Sequence, residues 1–269
     1  MTFFELRQGA LAALRVRDPQ AKVAAVQALA GASPAPDPGL ELAVPGDIPG
    51  RPGTPLLVRP AELAARPAGT EAGRAALLHS IAHIEFNAIN LALDAIWRFP
   101  GLPATYYLDW LRVAEEEASH FDLVCGRLLA YGCTYGEFPA HNGLWEMAEK
   151  TADDALARMA LVPRTLEARG LDASPFVRAK FARAGDHASA QVIDVILRDE
   201  IGHVAIGNRW FRVLCETRGI DPHAAYVQLS IRYSAPRLHG PFNIPARRAA
   251  GFDDAELRAL DSGIGLPSD

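Results

Sequence analysis

Cysteine is scarce in this chain: Cys125, Cys133 and Cys215 are the only three in 269 residues. Their number is odd and none falls in a C-x-x-C spacing, so neither a disulfide framework nor a thiolate zinc knuckle is expected. A reducing, cytoplasmic setting is the simpler expectation. Long apolar runs are missing too. The N-terminal stretch is interrupted by Glu5, Arg7, Arg15 and Arg17, which breaks the apolar segment a signal peptide needs. Nowhere do about 18 apolar residues follow one another, so no membrane span is expected. No broad basic stretch stands out, and the formal net charge is −5, which argues against a large electrostatic footprint for nucleic acid. Alternating strand patterns are sparse as well.

What the chain has in quantity is helical periodicity. Apolar residues are 49% of the composition, enough for one substantial core. Residues 2–31 carry two helical patterns split near Asp18-Pro19, with Leu6, Ala10, Ala13 and Leu14 on one face of the first and Val23, Val26 and Leu29 on the second. Residues 33–69 change character. Prolines and glycines recur there, and the segment reads as an arm wrapped across the protein and anchored by Leu40, Leu42, Val44, Leu56, Leu57 and Val58. Four long helices are then predicted over 70–219: Thr70–Arg98, Pro103 to near Gly132, roughly 143–169 ending at Gly170, and Asp186 to Gly219, with a short helix opened by Asp172, Ser174 and Pro175 before the fourth. A further helix over 221–233 and a proline-containing tail with a short helix near 253–261 complete a C-terminal extension, 220–269. The pattern predicts a single all-α domain: a four-helix bundle with extra N-terminal helices (1–32), the arm and the extension.

The chemistry sits in two E-x-x-H motifs, Glu117–His120 and Glu200–His203. Residues three apart share a helix face, so each helix can present a carboxylate and an imidazole to one place. Glu117 and His120 continue a stripe with Val113 and Val124. Glu200 and His203 lie in a stripe with Ile193, Ile196, Gly207, Trp210 and Leu214. Both pairs therefore face a core, where an uncompensated carboxylate costs several kcal/mol or takes up a proton. Cations resolve that conflict.

Each motif has a glutamate one helix upstream. Glu85 lies in the stripe Ala82, Ile89, Ala92, Ile96, and is 32 residues before Glu117; Glu167 follows Leu156, Ala160 and Pro163, and is 33 residues before Glu200. A helix, a turn and a return helix bring residues so spaced back to one level. The sequence thus predicts two half-sites of one design, with six metal ligands: Glu85, Glu117, His120, Glu167, Glu200 and His203. Four carboxylates match two divalent ions, and the oxygen and nitrogen donors suit iron or manganese better than structural zinc.

With these residues the chain resembles the ferritin-like di-iron carboxylate superfamily, in which two helices each give a glutamate and two give E-x-x-H. More narrowly, LHSIAHIEFNAINLALDA, EEEASHFDLV, ALVPRTLEARGLD, LRDEIGHVAIGNRWF and the arm PGRPGTPLLV resemble a bacterial ferritin-like family of unknown function. The bundle alone is also similar to the di-iron monooxygenase that hydroxylates a modified tRNA base. The resemblance implies a ferritin-like bundle holding two iron ions, with manganese or a mixed Mn/Fe pair as alternatives. It implies an oxidoreductase that activates O2 to oxidise or hydroxylate a small molecule or modified nucleotide. Electrons then come from an external donor, since the chain has no flavin signature, and a homodimer is compatible with it. By the same analogy Asp199 orients His120, and Glu116 is the candidate to do the same for His203. Val124 stands where radical-forming reductase subunits carry a tyrosine, which lowers that reading. A di-manganese catalase-like activity, a ferroxidase or purely structural bundle, and a buried ion network are the competing readings. His79 and His83, four apart, are expected to be surface or hydrogen-bonded rather than ligands; His187 reads as a neighbour of a helix cap, and His239 as a weaker candidate for a lid.

Overall fold

The computed structural model describes residues 5–64 and 66–262; residues 1–4 and 263–269, which the sequence analysis included in the first helix and the tail, lie outside the described residues. Among the described residues all regular structure is helical apart from one isolated bridge, Leu57 to Ala140, and no helix is long and apolar enough to cross a membrane. The chain divides into two compact units, Met1–Trp145 with Ala184–Val192, and Glu146–Arg183 with Ile193–Asp269.

The first unit is built on α3 (Glu71–Arg98) and α4 (Ala104–Ala130), with α1 (Leu6–Arg15) packed on α3 and α2 (Pro19–Gly31) on α4. Local chemistry sets these ends. Asp18 accepts from the Ala21 N–H ahead of Pro19, and Thr70 accepts from the Gly73 N–H. α4 stops at Gly132, φ 69°, where the Gly132 and Cys133 N–H groups turn back to the Leu129 and Leu128 carbonyls. Tyr107 pins the intervening turn, donating to the Phe99 carbonyl at 2.8 Å and accepting from Leu102 N–H at 3.1 Å.

The arm is fastened only in part as expected. Val44 and Leu56 are 68% and 70% exposed and Leu57 also faces solvent, so they do not anchor it, whereas Leu40, Leu42 and Val58 are half-buried and the Val58 N–H donates to the Ala140 carbonyl at 2.8 Å. Two buried basic side chains add to these. Arg7 donates to the arm carbonyls of Asp37, Pro38 and Leu40 and to the last turn of α3 at Ile96 and Trp97. Lys22 donates to Gly50, Leu14 and the Asn90 side chain. Extended backbone has carbonyls with no helical partner, and buried donors satisfy them where apolar contact cannot.

In the second unit the predicted third helix is broken. α5 (Gly143–Lys150), which begins in the first unit, is followed by a turn; α6 (Ala155–Leu161) then leads into a wide π segment (Val162–Glu167) and on into α7 (Ala168–Arg183). Thr151 donates back to the Met147 carbonyl and Asp154 accepts from Leu156 N–H, which ends one helix and starts the next. The π segment carries Pro163 at its second position, which has no N–H to give, and Thr165 donates its hydroxyl to the Ala160 carbonyl. Gly170 does not terminate a helix, and no separate short helix opens at Asp172. Ser174 bonds back to the Gly170 carbonyl and Asp172 is engaged by Arg247, so the residues read as stop and start signals serve other contacts and α7 carries Pro175 in its interior.

α8 (His187–Arg218) closes at Gly219 as expected, and its second-unit part packs Val204, Leu197 and Ile201 against Ala168 and Leu171 of α7. α9 (Pro222–Arg232) follows the Asp221 cap, and α11 (Asp254–Ser262) matches the expected short helix; α10 (Ile244–Ala249), capped by Asn243, was not foreseen.

Candidate metal centre

α3 and α4 bring three predicted ligands of the first unit together. Glu85, Glu117 and His120 are 3%, 0% and 1% exposed. His120 Nδ1 lies 3.3 Å from Glu117 Oε2 and 3.4 Å from Glu85 Oε2, and one ligand atom of each residue falls within 4.8 Å of the others. The electrostatics are those of a dry site that resists negative charge. Burial pushes the Glu85 carboxyl up to about 8, the Glu117 charge adds to the rise, and His120 opposes it. Burial by itself lowers the His120 imidazole, but hydrogen bonds and charge from Glu117 and Glu85 outweigh it and carry His120 up to about 12. Protons thus neutralise the cluster in the metal-free chain. A divalent cation fits the same oxygen and nitrogen donors and would displace those protons on binding.

In the second unit, α8 holds Glu200 and His203, 6% and 1% exposed, with His203 Nδ1 4.0 Å from Glu200 Oε2. Glu167 is the half-buried last residue of the π segment. Pro163, near the start of that segment, meets α8 closely: a Cβ at Gly207 would stand 2.5 Å from Pro163 Cβ, so only glycine lets these backbones approach. Glu167 follows Pro163 by four residues and His203 precedes Gly207 by four, but among the described residues no cluster of ligand atoms includes Glu167. Glu116 accepts from Arg112 Nε at 2.9 Å, and both Asp199 oxygens accept from Arg198, at 2.8 and 2.9 Å.

His79 and His83 are buried, not on the surface, and both make hydrogen bonds as the sequence analysis allowed. His79 Nε2 accepts from the Gly136 N–H at 2.8 Å and from Phe138 N–H at 3.4 Å. His83 pairs with the Tyr135 hydroxyl at 2.8 Å and the His141 carbonyl at 3.0 Å. Burial lowers both imidazoles to about 4. His187 opens α8 beside Asp186, which accepts from Ser189 N–H, and His239 is exposed. Tyr135 is a residue that sequence reasoning missed. Its ring centroid is 5.6 Å from that of Phe86 and 5.2 Å from that of Phe121, the residues that follow Glu85 and His120. It lies in a loop with no periodic signal, so nothing in the pattern marks it.

The family model described as "Protein of unknown function (DUF455)" matches residues 15–258. The chain belongs to this DUF455 family. The matched region contains the arm from its start and all six candidate ligands. The DUF455 chain is also similar to a protein of Haemophilus influenzae described as "Uncharacterized protein", with 51% identity over 213 residues, covering 77% of this chain and 74% of the relative. No solved structure matches it.

Proposed function

We propose that this DUF455 chain is a ferritin-like di-iron carboxylate oxidoreductase that binds two iron ions per chain. Glu85, Glu117 and His120 form one half-site, and Glu167, Glu200 and His203 the other. The observation that carries the reading is the convergence of Glu85, Glu117 and His120 in a buried seam, where two carboxylates lie beside one imidazole. The matching sequence spacing of the second set, with Glu167 33 residues before Glu200 as Glu85 is 32 before Glu117, supports it. These six residues would hold the iron, which would supply electrons for activating O2 and so for oxidising or hydroxylating an organic substrate. The chain's own residues keep water out, hold the carboxylates in place and release protons as metal enters. Electrons for turnover come from a separate partner.

Metal analysis tests the proposal directly. Protein from iron-replete cells should carry two iron ions per chain, and Glu117→Ala or Glu200→Ala should lose them. A metal-free chain from such cells would overturn it. Oxygen uptake with a chemical reductant, set against peroxide disproportionation, then separates an oxygen-activating centre from a catalase-like one.

A further inference from the structure

The second unit contains a cavity of about 220 Å³ that the metal centre does not use. Aliphatic and aromatic side chains make most of its wall, among them Val227, Leu238, Phe252 and Leu260. Two arginines, Arg164 and Arg247, line it although they are only 3% and 0% exposed. Val227 and His223, also in its wall, are exposed, so the lining includes solvent-facing residues as well as two buried guanidiniums.

Both arginines have structural partners, and these account for most of their donors. Arg164 gives Nη1 to Asn208 at 2.6 Å and Nη2 to Glu256. Arg247 gives Nε and Nη2 to Asp172. What the packing does not explain is the remainder. Arg164 Nε and Arg247 Nη1 are buried with no hydrogen-bond partner. Both guanidiniums lie over the same ring, Phe252, at 4.8 and 5.2 Å from its centroid, and both residues line the cavity. Buried N–H groups without acceptors, on side chains that border a void, are a standing cost that folded proteins seldom leave unmet.

We propose that this cavity binds a small aliphatic monocarboxylic acid, with its carboxylate at Arg164 and Arg247 and its chain against Phe252, Leu238 and Val227. Each unpartnered N–H suits an anionic oxygen, and the apolar wall suits an aliphatic chain attached to it. The Glu256 carboxylate in the wall selects a single negative charge over a dianion such as phosphate. A cation is not the occupant. His223, Asp253 and Glu256 do bring ligand atoms within 4.8 Å of one another, but the Glu256 oxygens accept from Arg164, from Arg212 at 3.1 Å and from Asp253 N–H at 2.8 Å. The volume equals roughly seven waters at ~30 Å³ each, the size class of octanoate.

Calorimetric titration of the full chain tests this with three probes: octanoate, octan-1-ol and inorganic phosphate. Octanoate is expected to bind at least about tenfold more tightly than octan-1-ol, the loss of one hydrogen bond to a charged group, and phosphate is expected not to bind. Ala259→Phe, which fills the cavity from its rim, should abolish octanoate binding without lowering the melting temperature. A diazirine analogue of octanoate supplies a readout that needs no variant. Its label, competed by octanoate, should map to the peptides carrying Tyr226-Val227 or Ala259-Leu260. No octanoate binding, equal binding of the alcohol, retained binding in a folded Ala259→Phe protein, or label confined to other peptides would each overturn the proposal. None of these readouts depends on iron.

Discussion

Pro163 and Gly207 meet so closely that a methyl group at Gly207 would stand 2.5 Å from the proline Cβ. Glu167 follows this proline by four residues, and His203 precedes this glycine by four. Gly207→Ala should therefore cost about 1–3 kcal/mol in denaturant unfolding, the range for forcing a methyl into a packed contact. It should also reduce metal at the Glu167 half-site while sparing the other. Unchanged stability together with full metal content would show that the contact relaxes at no cost.

Glu117→Gln separates stability from binding. In the metal-free chain the substitution relieves the repulsion that helps push Glu85 up to about 8, but it also removes a charge that pairs with His120, so the two effects oppose each other. The chelator-treated variant should melt close to the chelator-treated parent. The parent, however, should gain about 2.7–4.1 kcal/mol from iron at 100 to 1,000 times its Kd, and the variant should gain little of this. Paired melting curves with and without iron decide it, and equal gains would remove Glu117 from the ligand set.

His79 makes the first unit acid-sensitive. Its pKa falls from an ordinary value near 6.5 to about 4 through burial, and its Nε2 must stay unprotonated to accept from Gly136 and Phe138. Between those values the unfolded chain binds more protons than the folded one, so this part of the stability is whole above pH 6.5 and is lost as pH falls towards 4. His79→Gln should melt lower at neutral pH but with a flatter dependence from pH 6.5 to 4. Parallel curves for variant and parent would assign the acid sensitivity elsewhere.

Arg7 is 1% exposed and spreads its donors over five carbonyls, in the arm and in the last turn of α3. Arg7→Lys keeps the charge but loses the planar fork, so it should destabilise by about 2–4 kcal/mol. Protease cutting should then concentrate between residues 33 and 59. A digestion pattern like the parent's would show that the arm is held without Arg7.

The sequence disclosed most where the cause is local. Asp18, Thr70, Gly132 and Gly219 mark helix ends because caps and left-handed turns act within a few residues. The Glu117–His120 and Glu200–His203 pairs were legible because three-residue spacing inside an apolar stripe forces polar groups into a core. The break at Thr151–Asp154 and the continuity of α7 were not. They depend on which partner Asp154, Asp172 and Ser174 choose, and the choice for Asp172 is Arg247, 75 residues away. A similar sequence separation hid the cavity, whose arginines are at 164 and 247. The arm misled in part for another reason: leucines suggest apolar anchors, yet carbonyl groups also need donors, and no pattern announces which buried basic side chain will supply them.

Arg7 also decides where this chain can be cut. A fragment starting at Thr70 would carry Ile96 and Trp97 without the guanidinium they share, while an arm separated from α1 would lose the donor for three of its carbonyls. The first helix and the arm are therefore one heritable piece. Trimming, grafting or swapping them succeeds only when both travel together.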